Sequence, residues 1–277
     1  MNRLNRALYL LPIALVAMAC DRAEGHDTRE RRARSSTVTI TRTWPASAVK
    51  DLRVFEVDGS VSVEASGTTE ISLVATATGY LDVKKGEEND GLFQTKLEGE
   101  TLSIGRREHG RKGRRRFVFD FDGLFHRRQK RVNYALRVPP TLTLDISTVN
   151  GRIVTRGVSG ATEAATVNGT IDIETVGTQE LQATTVNGRV RAKFLESFQG
   201  ARFKTVNGGV EAILPQNASF AVDLSQVNGD FEASFPLSIH SNPGSRRVSG
   251  EVNGGRHELK ITTVNGDVQL ARLNGAL

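Results

Sequence analysis

A single triplet, Val-Asn-Gly, recurs seven times in 277 residues, and that recurrence restricts the fold more than any other feature. Its asparagines are Asn150, Asn168, Asn187, Asn207, Asn228, Asn253 and Asn265. Each is followed by its glycine: Gly151, Gly169, Gly188, Gly208, Gly229, Gly254 and Gly266. The spacings are 18, 19, 20, 21, 25 and 12 residues. A short motif at a near-constant period of this size marks a repeat architecture, in which each unit buries its apolar face against its neighbours. Val57-Asp58-Gly59 reads as a diverged copy upstream.

Parity shows what one repeat is. Before Asn187 the apolar or small set is Leu181, Ala183 and Thr185; after it comes Val190, Ala192 and Phe194. Each set alternates, as a half-buried strand requires. With Asn187-Gly188 as a two-residue turn, all six face one interior. Asn-Gly is the preferred pair where both central residues need φ > 0. The repeat is therefore strand, tight turn, strand and a looser connection, and the chain is all-β.

Two architectures satisfy that parity. If the two arms bond to each other, the chain is a hairpin-built β-sandwich. If they bond to neighbouring repeats, it is a flattened, β-helix-like solenoid of about 20-residue coils, with the asparagines stacked at one corner. The chain has 12 Phe, 3 Tyr and 1 Trp, so its core rests on small aliphatic side chains. A thin core of Ala, Thr and Val favours the solenoid, whose faces must approach closely. The same composition disfavours a large enzyme with aromatic-lined pockets. Its 38% apolar and 25% charged residues exclude a polytopic membrane protein and a wholly disordered chain.

The repeats, the strand VFEVDGSVSVEAS and the segment YALRVPPTLTLDISTVNG together resemble a bacterial domain-of-unknown-function family of β-strand-repeat proteins described as candidate adhesins. The resemblance covers residues 37–277. It implies a β-helical architecture and surface exposure, and it brings no catalytic residues. The chain departs from the family pattern in the irregular 228–265 stretch and in a basic insertion.

The amino terminus reads MNRLNRALYLLPIALVAMAC. Arg3 and Arg6 precede an apolar stretch, Ala7 to Met18, too short to span the ~30 Å hydrocarbon core of a bilayer. It reads as a secretory signal, residues 1–19. The small residues before Cys20 resemble a bacterial lipoprotein signal, in which the cysteine is acylated and becomes the new amino terminus. Cys20 is the chain's one cysteine, which excludes an intramolecular disulfide or a Cys-cluster zinc site. The expected location is the cell envelope, anchored by lipid and facing the periplasm or the exterior. Asp21 resembles the inner-membrane retention signal of enteric lipoproteins. Residues 20–36 then form the lipidated end and a polar tether.

Ahead of the repeats, strands are predicted over 37–40, 52–63, 70–76, 101–104 and 132–138. Residues 37–104 and 132–146 form an N-terminal β region, and 147–277 the repeat solenoid. Between the two N-terminal parts lies the insertion, 105–131. Residues 106–131 hold 11 Lys/Arg against Glu108, Asp120 and Asp122, a local +8 within a chain of net +6. Its clusters are Arg111, Lys112, Arg114, Arg115 and Arg116, then Arg127, Arg128, Lys130 and Arg131. Phe117, Phe119, Phe121 and Phe125 lie between them. Such a loop suits an anionic lipid or polysaccharide; nucleic acid, which also takes basic and aromatic residues together, is disfavoured for a secreted protein. The plainer reading is a solvated loop whose phenylalanines form a small hairpin docked on the body.

No enzyme chemistry emerges. His26, His109, His126, His240 and His257 show no H-E-x-x-H spacing, and there is no G-x-S-x-G elbow. Asp120-Phe121-Asp122-Gly123 echoes a calcium loop without its remaining ligands, so no metal or cofactor is expected. The alternative to a non-catalytic scaffold is a polysaccharide-binding or polysaccharide-cleaving β-helix, which needs convergent carboxylates. Four residues past each Asn come Val154, Asp172, Arg191, Glu211, Glu232, His257 and Gln269. Asp172, Glu211 and Glu232 are the candidates, with Arg191 interrupting them.

Overall fold

A computed structural model describes residues 36–79, 92–105, 131–177, 180–240 and 247–273. The chain runs through β1 (Ser36–Pro45), a 3-10 turn (Ala46–Ala48), β2 (Asp51–Asp58), β3 (Val61–Ala65) and β4 (Glu70–Gly79). Then come β5 (Gln94–Glu98), β6 (Thr101–Gly105) and β7 (Arg131–Val138). The repeats supply strand pairs: β8 (Thr143–Asn150) with β9 (Ile153–Arg156), β10 (Thr162–Asn168) with β11 (Ile171–Thr175), and β12 (Leu181–Asn187) with β13 (Val190–Phe194). β14 (Ala201–Lys204) with β15 (Val210–Leu214), and β16 (Phe220–Asn228) with β17 (Phe231–Ala233), continue the series. β18 (Ser238–His240) and β19 (Arg247–Val252) precede the last pair, β20 (His257–Asn265) and β21 (Val268–Arg272).

These strands form two sheets. Arms that precede the Asn-Gly make a leading sheet, in the order β18-β19-β16-β20-β14-β12-β10-β8-β2-β6-β5. Arms that follow it make a trailing sheet, β1-β4-β7-β3-β9-β11-β13-β15-β21-β17. Neighbouring coils pair in parallel, with Asn168 opposite both Asn150 and Asn187. The arms of one repeat lie in different sheets, so the fold is the solenoid and not the hairpin sandwich. The N-terminal region and the repeats form one stack, since β2 pairs with β8 and β3 with β9. The stretch 52–63, read as one strand, is two arms of a coil bent at Asp58-Gly59.

Inward positions follow the parity. Leu181, Ala183, Thr185, Val190, Ala192 and Phe194 are all buried, and complete burial of a side chain like Phe194 contributes about 1.5–3 kcal/mol. Alanines in the middle of the arms keep the sheets close, while Phe194, Phe198, Phe220 and Phe235 pack edge-to-face at centroid distances of 5.0–5.8 Å. Antiparallel strands close one end of both sheets, β1 and β4 on the trailing and β5 on the leading; at the other end β18 and β19 close the leading sheet, while the trailing sheet ends in the parallel β17. Such caps cover edges that would otherwise pair with another chain.

The structure corrects the turn. Among the described residues Asn253 is the one non-glycine with positive φ, 50°, so six of the seven asparagines are not left-handed. Asn150, Asn168, Asn187, Asn228 and Asn265 end strands in extended backbone, and Asn207 bridges to Asn187 and Asn265. Coils that bond to their neighbours need no reversal within the motif, so no two-residue hairpin turn forms. Asn253-Gly254, with both φ positive (50° and 86°), alone has the expected conformation, and it lies outside the stack. The irregular 228–265 stretch has a topological cause. β20 inserts between β14 and β16, so the coil bearing Asn265 lies inside the one bearing Asn228, and β18–β19 carry the chain back.

Candidate functional site

The geometry that recurs from coil to coil lies at the Val-Asn-Gly corner. Asn150 Nδ2 donates to Asp58 Oδ1 at 2.8 Å, Asn168 to Asn150 at 2.8 Å, and Asn187 to Asn168 at 2.8 Å. Asn207 donates to Asn187 and Asn265 to Asn207, both at 2.9 Å, and Asn228 to Asn265 at 2.8 Å. Every amide donates toward Asp58, which as a carboxylate only accepts and so sets the direction of the ladder. Asn253 instead donates to the Ala218 carbonyl at 2.9 Å.

Two further ladders run beside it. In five copies the threonine before Val-Asn-Gly donates its hydroxyl to the glycine carbonyl of the neighbouring coil: Thr148 to Gly59, Thr166 to Gly151, Thr185 to Gly169, Thr205 to Gly188 and Thr263 to Gly208, at 3.1–3.4 Å; Gln226 takes that place before Asn228 and donates to the Gly266 carbonyl at 2.9 Å. Backbone amides of Gly169, Gly188, Gly208 and Gly266 donate to the asparagine carbonyls of the next coil. The glycines are there because successive corners touch. A Cβ on Gly151, Gly169, Gly188 or Gly208 would fall 1.8–1.9 Å from the neighbouring glycine's oxygen.

Glu56 takes the threonine position in the first copy. It is fully buried, accepts from Tyr134 Oη at 2.8 Å and from the Val57 amide at 2.9 Å. Glu56 and the bonding of the corner threonine hydroxyls between coils escaped the sequence reading, which placed Thr185 only as an inward-facing residue. A Thr, Gln or Glu two residues before every motif Asn or Asp was the signal that could have found them.

The outward row of the trailing sheet holds the candidate carboxylates. In space its order is Val154, Asp172, Arg191, Glu211, Gln269, Glu232. Asp172, Glu211 and Glu232 are thus never adjacent, and His257 belongs to the leading sheet. Asp172, 14% exposed, accepts two bonds from Arg156 at 3.0 and 3.1 Å and one from Arg152 at 2.8 Å. Arg191 lies 3.4 Å from Glu211.

The hydrogen bond from Arg156, more than any other influence, holds the Asp172 carboxyl below the ordinary carboxylate range, against the opposing effect of partial burial. A depressed folded value stabilises the protein above the unfolded value of about 3.9 and loses that stabilisation as pH falls through the folded value. Asp172→Asn is therefore expected to melt lower at pH 7, by an amount worth about 1 kcal/mol or less, and to converge on the parent as the pH falls through the depressed folded value. Melting curves across pH check this; a constant difference would refute it.

Other predicted residues fall outside the described part: Cys20, all four insertion phenylalanines, Asp120, Asp122 and Arg111, Lys112, Arg114, Arg115, Arg116, Arg127, Arg128 and Lys130. Arg131 is described, as the exposed first residue of β7. The described strands on either side of the insertion, β6 and β7, pair with β2 and β3. Among the described residues no helix is long and apolar enough to cross a membrane, and no group of three His, Cys, Asp or Glu is placed to hold a metal.

The family model named Toastrack DUF4097 matches residues 29–271. No curated protein matches the sequence. The chain is similar to the solved structure of a candidate cell adhesion protein from Clostridium sporogenes, at 8% identity over 86% of this chain and 100% of that one, with a TM-score of 0.44. It is also similar to a candidate adhesin from Bacteroides fragilis, at 13% identity over 85% and 97% and a TM-score of 0.38. A third, a candidate lipid binding protein from Parabacteroides distasonis, is 11% identical over 85% and 97%, with a TM-score of 0.34.

Proposed function

The chain belongs to the Toastrack DUF4097 family, and on that footing we propose that it is a non-catalytic, lipid-anchored protein of the cell envelope, an adhesin-like scaffold that works by the surface it displays. One observation supports this most directly. The Thr, Asn and Gly that recur are consumed in bonds between coils, so the repeat serves to build a rigid rod. What is left to meet a partner is the outward surface and the insertion.

Cys20 is the attachment point in this reading. The 15 residues between it and β1, polar and charged in sequence, would serve as the tether. The clusters Arg111–Arg116 and Arg127–Arg131 then face an anionic surface, lipid headgroups in the first instance. A test begins with Cys20→Ser in the producing cell. The variant is expected to remain an unprocessed precursor with no incorporation of radiolabelled lipid; normal maturation to a soluble form would sink the anchor.

A further inference from the structure

We propose that the outer face of the leading sheet is a contact surface between two copies of this chain, related by a two-fold axis that runs along β12. The observation that carries this is the order of charges across one row of the face. From β2 to β16 the outward residues in register are Arg53, Asp145, Glu163, Gln182, Arg202, Lys260 and Asp223. Their signs run plus, minus, minus, neutral, plus, plus, minus. The row is thus its own opposite about Gln182. The next strand on each side continues it with a neutral serine, Ser103 and Ser249.

A two-fold axis parallel to the strands lays such a row over itself in reverse. The contacts are then isologous, each made twice. Glu163 of one copy meets Arg202 of the other, Asp145 meets Lys260, and Arg53 meets Asp223, while Gln182 faces its own counterpart beside the axis. Strand direction is kept, so every row faces the same row. The outward valines before the corner residues, from Val57 on β2 to Val227 on β16, therefore face valines. Val227 and Val264 are 40% and 37% exposed, Val149 is 6% and the others lie between. From β2 to β16 the face is about 29 Å long and about 20 Å across, the scale of a patch that buries ~800 Å² on each side of a stable dimer.

The trailing sheet shows a row satisfied within one molecule. There Arg137, Glu64, Arg156, Glu174 and Lys193 alternate in sign strand by strand, with Glu64 3.9 Å from Arg137 and Glu174 3.3 Å from Lys193. The leading row instead sets Asp145 beside Glu163 and Arg202 beside Lys260, and like charges on adjacent strands repel. Against a second copy, each like-signed pair meets a pair of opposite sign. Arg202 also has Glu258 at 3.1 Å, and Lys260 has Asp223 at 3.6 Å, surface pairs of small worth that a second copy extends. All six charged residues of the row reach solvent, so none has to leave the core to make the contact.

The test uses the chain from residue 21 onward, which keeps every described strand and lacks the native cysteine. Sedimentation equilibrium should give a dimer. Glu163→Arg and Arg202→Glu should each weaken dimerisation by about tenfold or more, since each sets two like pairs across the interface. Mixing the two variants in equal amounts should restore a dimer, because both contacts of the mixed pair again join opposite charges. A parent that stays monomeric up to about 1 mM would overturn the proposal and leave the face to a partner of another kind. So would single variants that dimerise as the parent does, or a mixture no more dimeric than its components. Should the charge variants fail to fold, cross-linking decides. Thr184, exposed on β12 at the axis, and Ser62, exposed on the outer face of the trailing sheet, are each changed to cysteine and treated with a short bis-maleimide. Thr184→Cys should cross-link between copies about tenfold faster than Ser62→Cys; equal rates would overturn the proposal.

Discussion

Gly188→Val is expected to lower the melting temperature by ten degrees or more, an effect of roughly 3–5 kcal/mol. A Cβ at this position would lie 1.9 Å from the Gly169 carbonyl oxygen. Both partners are backbone, so the overlap is relieved only by prising two coils apart. That separation would strain the Gly188 amide's bond to the Asn207 carbonyl and the Asn187 side chain's bond to Asn168. Since each coil is held by its neighbours, a fault in the middle weakens two interfaces. Gly67 is the control, because nothing lies within 4 Å of a Cβ placed there. Gly67→Val should melt close to the parent. Thermal denaturation followed by circular dichroism would refute the assignment if the two variants melted alike.

Removing the insertion's charge is expected to abolish association with anionic vesicles. Lys and Arg near an anionic bilayer contribute about 1 kcal/mol each, screened over a Debye length of roughly 8 Å at physiological salt. The insertion carries +8, while the rest of the chain beyond residue 19 is net negative, so binding depends on this segment. The variant to compare has Arg111, Lys112, Arg114, Arg115, Arg116, Arg127, Arg128 and Lys130 changed to Gln. Arg131 stays, because it begins β7. The parent chain without its lipid should sediment with phosphatidylserine vesicles at low salt and be released at high salt; the variant should not sediment, at an unchanged melting temperature. Equal sedimentation would reduce the insertion to a solvated loop.

Much of the rod was legible beforehand because a strand alternates with period two. Leu181, Ala183 and Thr185 had to share a face whichever strands they bonded to. For the same reason parity could not tell a hairpin from a coil: both place Thr185 and Val190 on one interior. The conformation of Asn187 depends on which strand its arm bonds to, and that partner lies about 20 residues away. The candidate carboxylates were misordered for a related reason. Chain order places Glu211 next to Glu232, but β21 carries Gln269 between them.

By itself, then, the sequence determined the all-β class, the period of about 20 residues and which side chains face inward. It did so because these follow from local periodicity and from a motif too regular to serve separate purposes. The tertiary structure decided what depends on contact between distant segments. It set parallel pairing between coils, the insertion of the Asn265 coil inside the Asn228 coil, the burial of Glu56 against Tyr134 and the exclusion of any side chain at Gly188. Each is a matter of which backbone edge another finds within hydrogen-bond reach, and no spacing along the chain encodes that choice.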